Sequence, residues 1–480
     1  MKKIVAVLFA WIMLLDFAES KALSHTKDSK THKYFPQNKT ELLTLLKDEK
    51  IKLDSIDTNA IDDMSYLFCA SIWTRCNDSA KERKDFRGIE SWDTSNVKNM
   101  SAMFYAKRDF NAPIGKWNVA KVESMSAMFR EAESFNQDIS AWDTGNVISM
   151  RGMFTLAKSF NQPLNGWNVA KVKNMNAMFA LTNFNQPLDK WDMRSVEDID
   201  AMFAFAKSFN QDINAWKLGS VKRISWLFKG AKSLNQNLDS MQVPTNIEDK
   251  GAFENSGLRK PPIWYQGVFR DSKYYEKILS NIARQNNQYI PKNKEELLVL
   301  LKNEIIRLDS INTSQIMDMS YLFCVYDGLE KCVDSAFERK DFKGIESWDT
   351  SNVVDMNTMF YRNARFNEPL NGWNVAKVKN MNAMFALTNF NQPLDKWDTR
   401  NVVNMRGIFY GAWAFNGNIS TWRVEKVKNL NSAFAWSNFN GNLNAWNPPK
   451  NCDTRGIFYH SPMKLIPKWL QDSRDIRHSF

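Results

Sequence analysis

The sequence predicts an α/β repeat protein in which two solenoid arrays are built from coils of about 25 residues. Three observations predict this fold class: a tryptophan that returns every 24 or 25 residues, a phenylalanine that keeps the same period, and a long segment that occurs twice. A fixed period of this length is typical of arrays in which each unit buries its apolar face only against its neighbours. A chain of 480 residues therefore need not divide into the three domains that its length suggests.

Two rows of aromatic residues mark the coils. The tryptophan row consists of Trp92, Trp117, Trp142, Trp167, Trp191 and Trp216, then Trp348, Trp373, Trp397, Trp422 and Trp446. The phenylalanine row consists of Phe104, Phe129, Phe154, Phe179, Phe203, Phe228 and Phe253, then Phe360, Phe385, Phe409, Phe434 and Phe458. Because both rows recur in every coil, we interpret them as core and not as a ligand pocket.

The first half of each coil predicts a strand. In the coil from Phe135 to Phe154, the residues Trp142 and Thr144 alternate with Ala141 and Asp143. This alternation is expected of a strand with one buried face, since successive side chains of a strand point to opposite sides. The strand should therefore bury Trp142 and expose Asp143.

The second half of each coil predicts a short helix. In the same coil, apolar residues recur at steps of three and four: Val147, Met150, Met153 and Phe154. This spacing places apolar side chains on one helical face, and Asn146 is available as the N-cap. Each coil should therefore consist of a short strand, a turn, a short helix and a return.

A duplication sets the domain boundaries. The segment that starts at Tyr34 returns, with few changes, at Tyr289. Each copy begins with a leucine-rich helix, Leu42–Leu46 or Leu297–Leu301, that is suited to covering the first coil. We predict a first capped solenoid over 34–265, a linker or short solvated helix over 266–288, a second capped solenoid over 289–470 and a tail over 471–480.

The beginning of the chain and its cysteines predict export. Lys2 and Lys3 precede an apolar run, Ile4–Leu15, so residues 1–20 read as a signal peptide cleaved after Ser20, with Ser24 as the second choice. Residues 21–33 should be a disordered segment. In an exported protein, the pairs Cys69 with Cys76 and Cys324 with Cys332 favour disulfides and leave Cys452 free.

An asparagine that follows the returning phenylalanine is also periodic. This row consists of Asn111, Asn136, Asn161, Asn185, Asn210, Asn235, Asn367, Asn391, Asn416 and Asn440. One hypothesis is that these side chains point inward and bond the backbone of the neighbouring coil. The alternative is that asparagine merely tolerates a turn. We favour the inward ladder.

The repeat resembles that of the BspA-like leucine-rich surface proteins. The resemblance is carried by FNQPLNGWNVAKVKNMNAMFALTNFNQPLDKWD, from Phe160 to Asp192, and extends over residues 63–265 and 318–470. It implies a right-handed leucine-rich-repeat-like solenoid of short parallel strands, secreted or displayed at the bacterial surface. Adhesion or the binding of a host protein is the function that the resemblance implies, and periplasmic retention is an alternative location.

The sequence offers no set of unlike groups of the kind that catalysis requires. It contains no glycine-rich phosphate loop or nucleophile elbow, and its four histidines are scattered. We therefore predict no enzyme, no cofactor and no metal site. The net charge of +11 comes from lysines and arginines that are interspersed with acids, which argues against nucleic acid as the partner.

Two functions remain open, a recognition module and a passive spacer or surface coat. In the first, a protein or glycan partner on a host or bacterial surface binds the solvent-facing positions next to the tryptophans. These candidate partner-binding residues are Asp93, Lys116, Asn118, Asp143, Asn168, Lys190, Asp192, Lys217, Asp349, Asn374, Lys396, Asp398, Arg423 and Asn447. A passive coat would instead show no saturable affinity for any partner.

Overall fold

A computed structural model describes residues 32–71, 76–245, 247–265, 267, 272–325, 332–464 and 466–471. The predicted signal peptide, most of the segment 21–33 and all but the first residue of the tail 471–480 lie outside the described residues. The chain forms two compact units, Met1–Asp271 and Ser272–Phe480. Each unit has its own apolar core.

In the part of the chain that the structure describes, regular secondary structure is confined to the beginning and end of the units. The α-helices there are α1 (Lys39–Leu46), α2 (Ser272–Asn281), α3 (Lys294–Lys302) and α4 (Lys468–Gln471). The only strands among the described residues are β1 (Ala283–Gln285) and β2 (Gln288–Ile290), which pair in antiparallel register, with Arg284 opposite Tyr289. Single turns of 3-10 helix occur at Leu53–Ser55, Ile89–Ser91, Leu308–Ser310 and Ile345–Ser347.

Helices α1 and α3 are the caps that the leucine-rich segments predict. Each begins with an asparagine whose side chain accepts a hydrogen bond from the third helical backbone N–H, Asn38 from Glu41 and Asn293 from Glu296. This arrangement satisfies a donor that has no partner within the helix. Both helices bury a leucine face against the first repeat, and α2, which lies in the segment predicted as a linker or short helix, contacts α3.

Between the caps, every repeat adds one residue to a row of isolated parallel bridges. In the first unit the row runs through Asp63, Asn99, Ser124, Ser149, Asn174, Asp198, Arg223 and Glu248. In the second unit it runs through Asp318, Asp355, Asn380, Asn404, Asn429 and Asp453. We call this row the bridge row; it lies seven residues after the tryptophan, within the segment predicted to be helical.

Backbone hydrogen bonds after the bridge row run between repeats. Met150, Gly152 and Phe154 donate their backbone N–H groups to the carbonyls of Asn174, Asn176 and Met178 at 2.9, 2.8 and 3.0 Å. Gly152 and Leu156 have positive φ angles of 60° and 63°. The equivalent positions are left-handed in nearly every repeat, so the segment is a series of tight turns.

The predicted α/β leucine-rich-repeat-like solenoid, with a strand and a helix in each coil, is therefore wrong. A residue with φ near +60° cannot continue a right-handed helix. Alternate backbone N–H groups of this segment bond the next repeat, and those of Met153 and Thr155 bond the third preceding carbonyl, so none makes the bond to the fourth preceding carbonyl that defines an α-helix. The segment around Trp142 is extended but contributes no strand. Each repeat consists of turns, and the inter-repeat bonds supply what the predicted strands were expected to provide.

The aromatic rows form continuous stacks through each core. Trp142 and Trp167 are 3% exposed, and their ring centroids are 6.3 Å apart with nearly parallel planes. Phe154 stacks on Phe160, six residues later, at 4.0 Å and on Phe179, its equivalent in the next repeat, at 5.7 Å. Burial of this much aromatic surface is the main favourable term for each unit. The interpretation of both rows as core is confirmed.

Candidate functional site

The candidate residues occupy the two positions that flank each buried tryptophan, which we call the flanking row. Twelve of the fourteen predicted residues are exposed, while Asp192 and Asp398 are half-buried. Between them the tryptophan is fixed by its indole N–H, which in Trp167 donates to the carbonyl of Ile139 at 3.1 Å. Two residues further on, the hydroxyl of Thr144 donates to the carbonyl of Asn168 in the next repeat at 2.9 Å. The predicted alternation of buried and exposed positions is confirmed without a strand.

Most residues that directly follow a tryptophan also close a local turn with their side-chain oxygen. The side-chain oxygen of Asp143 accepts the backbone N–H of Gly145 at 3.1 Å, and that of Asn168 accepts from Ala170 at 3.1 Å. The same two-residue step occurs at Asp93, Asn118, Asp349 and Asn374. Such a turn accepts aspartate and asparagine equally, because it uses only one side-chain oxygen. Sequence reasoning missed this cause of the exchange between the two residue types.

Asp192 and Asp398 make this turn and also pair with arginine. The guanidinium groups of Arg194 and Arg400 donate to these carboxylates at 2.8 Å, and this hydrogen bond is the main reason why the pKa of each aspartate is lowered. Both pairs lie within a single repeat. The acids are therefore partly neutralised before any partner arrives.

The cationic members of the flanking row differ from the acids. Lys116, Lys190, Lys217 and Lys396 are exposed. The backbone N–H of Lys190 donates to the side-chain oxygen of Asn165 at 3.0 Å, so its main chain is fixed while its ammonium group lies in solvent. Arg423 and Asn447 are also exposed, and the Arg423 guanidinium lies 3.7 Å from the carboxylate of Glu425. The lysines are thus the flanking-row side chains that are best placed to contact another molecule.

The periodic asparagines form the predicted ladder between repeats. The backbone N–H of Asn161 donates to the side-chain oxygen of Asn136 at 3.0 Å, and Asn185 donates in the same way to Asn161 at 2.8 Å. The ladder is confirmed, but its predicted inward direction is wrong. Asn136 and Asn161 are exposed and Asn185 is half-buried, because the turn after the phenylalanine lies at the surface.

We expect Asn161→Ala to lower the free energy of unfolding of the first unit by about 1 kcal/mol, because one inter-repeat hydrogen bond is lost at a site that water can reach. Lys190→Ala is the matched control and should change it by less than about 0.5 kcal/mol, since its side chain bonds nothing recorded in the described residues. Urea denaturation followed by tryptophan fluorescence measures both values. Equal losses would show that the ladder contributes nothing to stability.

A charged cluster lies late in the first unit around Asp200, which is 5% exposed. Its carboxylate accepts the backbone N–H of Ser225 at 2.8 Å and lies 3.2 Å from the guanidinium of Arg223. Arg223 also pairs with Asp198 at 2.8 Å. Burial, followed by the nearby charge of Asp198, raises the pKa of Asp200 to about 7, and Arg223 and Ser225 offset only part of this effect.

The first unit should become more stable as the pH falls through about 7. The pKa of Asp200 is about 7 in the folded state and near 3.8 in an unfolded chain. Between these pH values the folded state binds the proton more tightly than the unfolded chain, so a fall in pH favours the folded state. Between about pH 7.5 and pH 5.5 the gain should be roughly 1 to 2 kcal/mol. Urea denaturation at both pH values tests this, and Asp200→Asn, which cannot titrate, should remove this part of the gain. An unchanged pH dependence in the variant would contradict the assignment.

Both predicted disulfides are present. Cys69 bonds Cys76, and Cys324 bonds Cys332, and the two loops begin directly after Phe68 and Phe323. Cys452 is free and buried, and this burial raises the pKa of its thiol to about 12, so the thiol is unreactive near neutral pH. Disulfides persist in oxidising compartments, and the two bonds indicate an extracellular or otherwise exported protein.

Within the ranges that the structure describes, no three or more histidine, cysteine or acidic side chains are grouped so that they could hold a metal ion. Every helix in the same ranges is too short or too polar to cross a membrane. We take the exposed surface of the repeats as the candidate functional feature.

Comparison with known proteins identifies the repeat. A family model described as "Mycoplasma protein of unknown function, DUF285" matches residues 74–183, 166–262, 300–392, 327–446 and 386–469. These overlapping matches cover about three quarters of the chain and fall in both units. No curated protein and no solved structure matches the chain.

Proposed function

The chain belongs to the family of Mycoplasma proteins of unknown function, DUF285, and we propose that it is an exported, non-enzymatic protein that binds a protein or glycan partner. In each unit the repeats share the same backbone turns and the same buried residue types, and they differ in the side chains at the exposed positions. An extended, repetitive surface of this kind suits the recognition of large or repetitive partners.

The proposed location is the bacterial surface or the surrounding medium. Residues 1–20 would act as the signal peptide, and the BspA-like surface proteins, which the repeat resembles, suggest adhesion or host interaction as the setting. The disulfides are compatible with this setting and equally with retention in a periplasm. Edman sequencing of the exported protein would identify the cleavage site.

One observation carries the binding hypothesis, namely the set of exposed lysines in the flanking row. Lys190 and Lys396 lie at the same position of nearly identical repeats, one in each unit. Each has its backbone N–H bonded to an asparagine side chain of the preceding repeat, Asn165 or Asn371, at 3.0 or 2.9 Å. Rigid backbones that hold long cationic side chains in solvent reduce the entropy that a partner must overcome on binding.

A passive spacer or surface coat is the second candidate, and the turns in the flanking row favour it. Because Asp143, Asn168 and their equivalents use a side-chain oxygen to close a local turn, their variation has a sufficient structural cause. A spacer needs only rigidity and a soluble surface, and both units supply these.

Binding of the purified exported chain to an array of defined glycans and to purified extracellular-matrix proteins separates the two candidates. We expect saturable binding to at least one of them, weakened by Lys190→Glu combined with Lys396→Glu. Asp143→Asn combined with Asp349→Asn is the control, since asparagine closes the same turn and the affinity should hold. An absence of saturable binding would favour the spacer.

A further inference from the structure

The two units differ in the charge of one surface strip. Side chains four and six residues after the tryptophan lie on either side of a buried valine and therefore point to the same outer surface. In the second unit these positions supply five exposed lysines, and we call the four that flank Val378 and Val427 the lysine strip: Lys377, Lys379, Lys426 and Lys428. Neither position holds an acidic residue in any repeat of the second unit.

The corresponding strip of the first unit also carries lysines, but acidic side chains neutralise part of its charge. There the position six residues after the tryptophan includes Glu123 and Glu197. The carboxylate of Glu197 pairs with Lys173 at 3.3 Å and with Lys222 at 2.5 Å, in the preceding and following repeats. The second unit has Val354 and Val403 where such acids could stand. The same backbone thus carries a strip with two acids among five lysines in one unit and a strip of lysines without any acid in the other.

The lysines of the second unit have mostly neutral neighbours. Lys377 and Lys426 each donate to the side-chain oxygen of an asparagine in the preceding repeat, Asn352 or Asn401, at 2.7 Å. Hydrogen bonding to Ser351 is the main reason why the pKa of Asp349 is lowered, and the charge of Lys377 adds a smaller contribution. These hydrogen bonds hold the strip in place without removing its charge.

For Lys379 and Lys428, no ion pair with a carboxylate is recorded within the described residues of the second unit. Carboxylates do occur one position further on, in the bridge row, but they have partners of their own. Asp318 pairs with Lys294 at 3.1 Å, and Asp453 pairs with Arg455 at 2.8 Å. Asp355 accepts from the Asn380 amide at 3.4 Å.

Apolar side chains lie between the lysines. Met317 is 62% exposed, and Val354 and Val403 are half-buried at the same position of alternate repeats. Apolar side chains interleaved with lysines are typical of surfaces that rest on a lipid headgroup layer. A soluble polyanion would gain nothing from Met317 and the valines, whereas the acyl boundary of a membrane accepts them.

We propose that the lysine strip docks the second unit on an anionic membrane surface, with the lysines contacting lipid phosphates. Lys379 and Lys428 are two repeats apart, so their backbones are separated by about 10 Å, which lets each contact a different headgroup. This inference is independent of the proposed protein or glycan binding, which uses the flanking row.

Co-sedimentation of the full chain with vesicles tests the proposal. We expect binding to vesicles that contain about 30% phosphatidylglycerol in phosphatidylcholine, little binding to pure phosphatidylcholine, and loss of binding at about 1 M salt, where charges are screened within about 3 Å. Lys379→Gln combined with Lys428→Gln should lower the partition coefficient about 30-fold, since each lysine contributes about 1 kcal/mol and 1.4 kcal/mol is tenfold.

The matched control is Lys173→Gln combined with Lys222→Gln, which removes the same charge from the same repeat position of the first unit. Because those lysines are already paired with Glu197, the control should keep most of the vesicle binding. All four positions are exposed, so both double variants should fold. Equal losses in the two variants, equal binding to neutral vesicles, or binding to heparin without binding to vesicles would each overturn the proposal.

Discussion

Arg339→Met is expected to lower the free energy of unfolding of the second unit by about 3 to 5 kcal/mol, the cost of removing one partner from a buried charged hydrogen-bond network. Arg339 is 3% exposed, and its guanidinium donates to the carbonyls of Leu301, Asn303 and Ile306 at 3.0, 3.2 and 2.6 Å. These carbonyls lie at and just after the end of helix α3, where no backbone N–H of the helix is left to donate to them. Arg339 therefore joins the cap to the first repeat.

Urea denaturation of the full chain measures this loss. Arg406→Met is the matched control, because Arg406 is exposed and should contribute less than about 0.5 kcal/mol. The equivalent residue of the first unit, Arg83, donates to the carbonyls of Leu46, Asp48 and Ile51, so Arg83→Met should destabilise that unit in the same way. A loss below about 1 kcal/mol in both variants would mean that the caps do not depend on these arginines.

Trp167→Ala should cost the first unit about 3 to 5 kcal/mol, since truncation leaves a cavity in a continuous stack. The indole of Trp167 stacks on Trp142 at 6.3 Å and packs against Phe154 at 6.4 Å, and it also donates to the carbonyl of Ile139. The alanine variant thus loses ring contacts with two repeats and leaves a buried carbonyl without its donor.

Trp167→Phe separates the two contributions. Phenylalanine keeps an aromatic ring but has no donor for Ile139, so this variant should lose about 1 to 2 kcal/mol. Trp413→Ala serves as the control, because Trp413 is 52% exposed and lies outside the stack. Thermal and urea denaturation should rank the three variants in this order. Similar effects of Trp167→Ala and Trp413→Ala would contradict the role of the tryptophan row in the core.

The sequence was sufficient to predict which side chains are buried. The period of 24 or 25 residues and the alternation around Trp142 predict burial correctly, because hydrophobic patterning reports the core whatever the backbone conformation. The caps, the disulfides and the asparagine ladder could also be predicted, because each depends on particular residue types at matching positions of the sequence. The exposure of Asn161 was not, since a ladder can form on either side of a turn.

The helix was mispredicted because successive tight turns also return side chains to one face every three or four residues. Met150, Met153 and Phe154 are all fully buried in this way without a helix. One signal in the sequence was overlooked. Ten residues after the tryptophan most repeats have a small residue, such as Ala127, Gly152 or Ala177, and all three have positive φ. A small residue at a fixed position of a repeat is compatible with a left-handed turn, and glycine adopts that conformation most readily.

For the candidate site, the sequence predicted which side chains are exposed but not what those side chains do. The exchange of aspartate and asparagine after the tryptophan looks like variation for binding, whereas the turn at Asp143 accounts for it. The lysine strip could be recognised only by comparing the two units, because the pairing of Glu197 with Lys173 and Lys222 spans three repeats. Unlike the asparagine ladder, this ion-pair network involves residue types that change from repeat to repeat, so the period alone does not reveal it.

Hydrogen exchange at single-residue resolution in the segment 147–156 tests the turn-built repeat most directly. In the structure, the backbone N–H of Met150 donates to Asn174 in the next repeat, whereas no acceptor is recorded for that of Arg151 among the described residues. We therefore predict slow exchange at Met150 and fast exchange at Arg151. A helix capped at Asn146 would instead protect both amides, since Met150 would bond the carbonyl of Asn146 and Arg151 would bond that of Val147. Slow exchange at Arg151 would contradict the account.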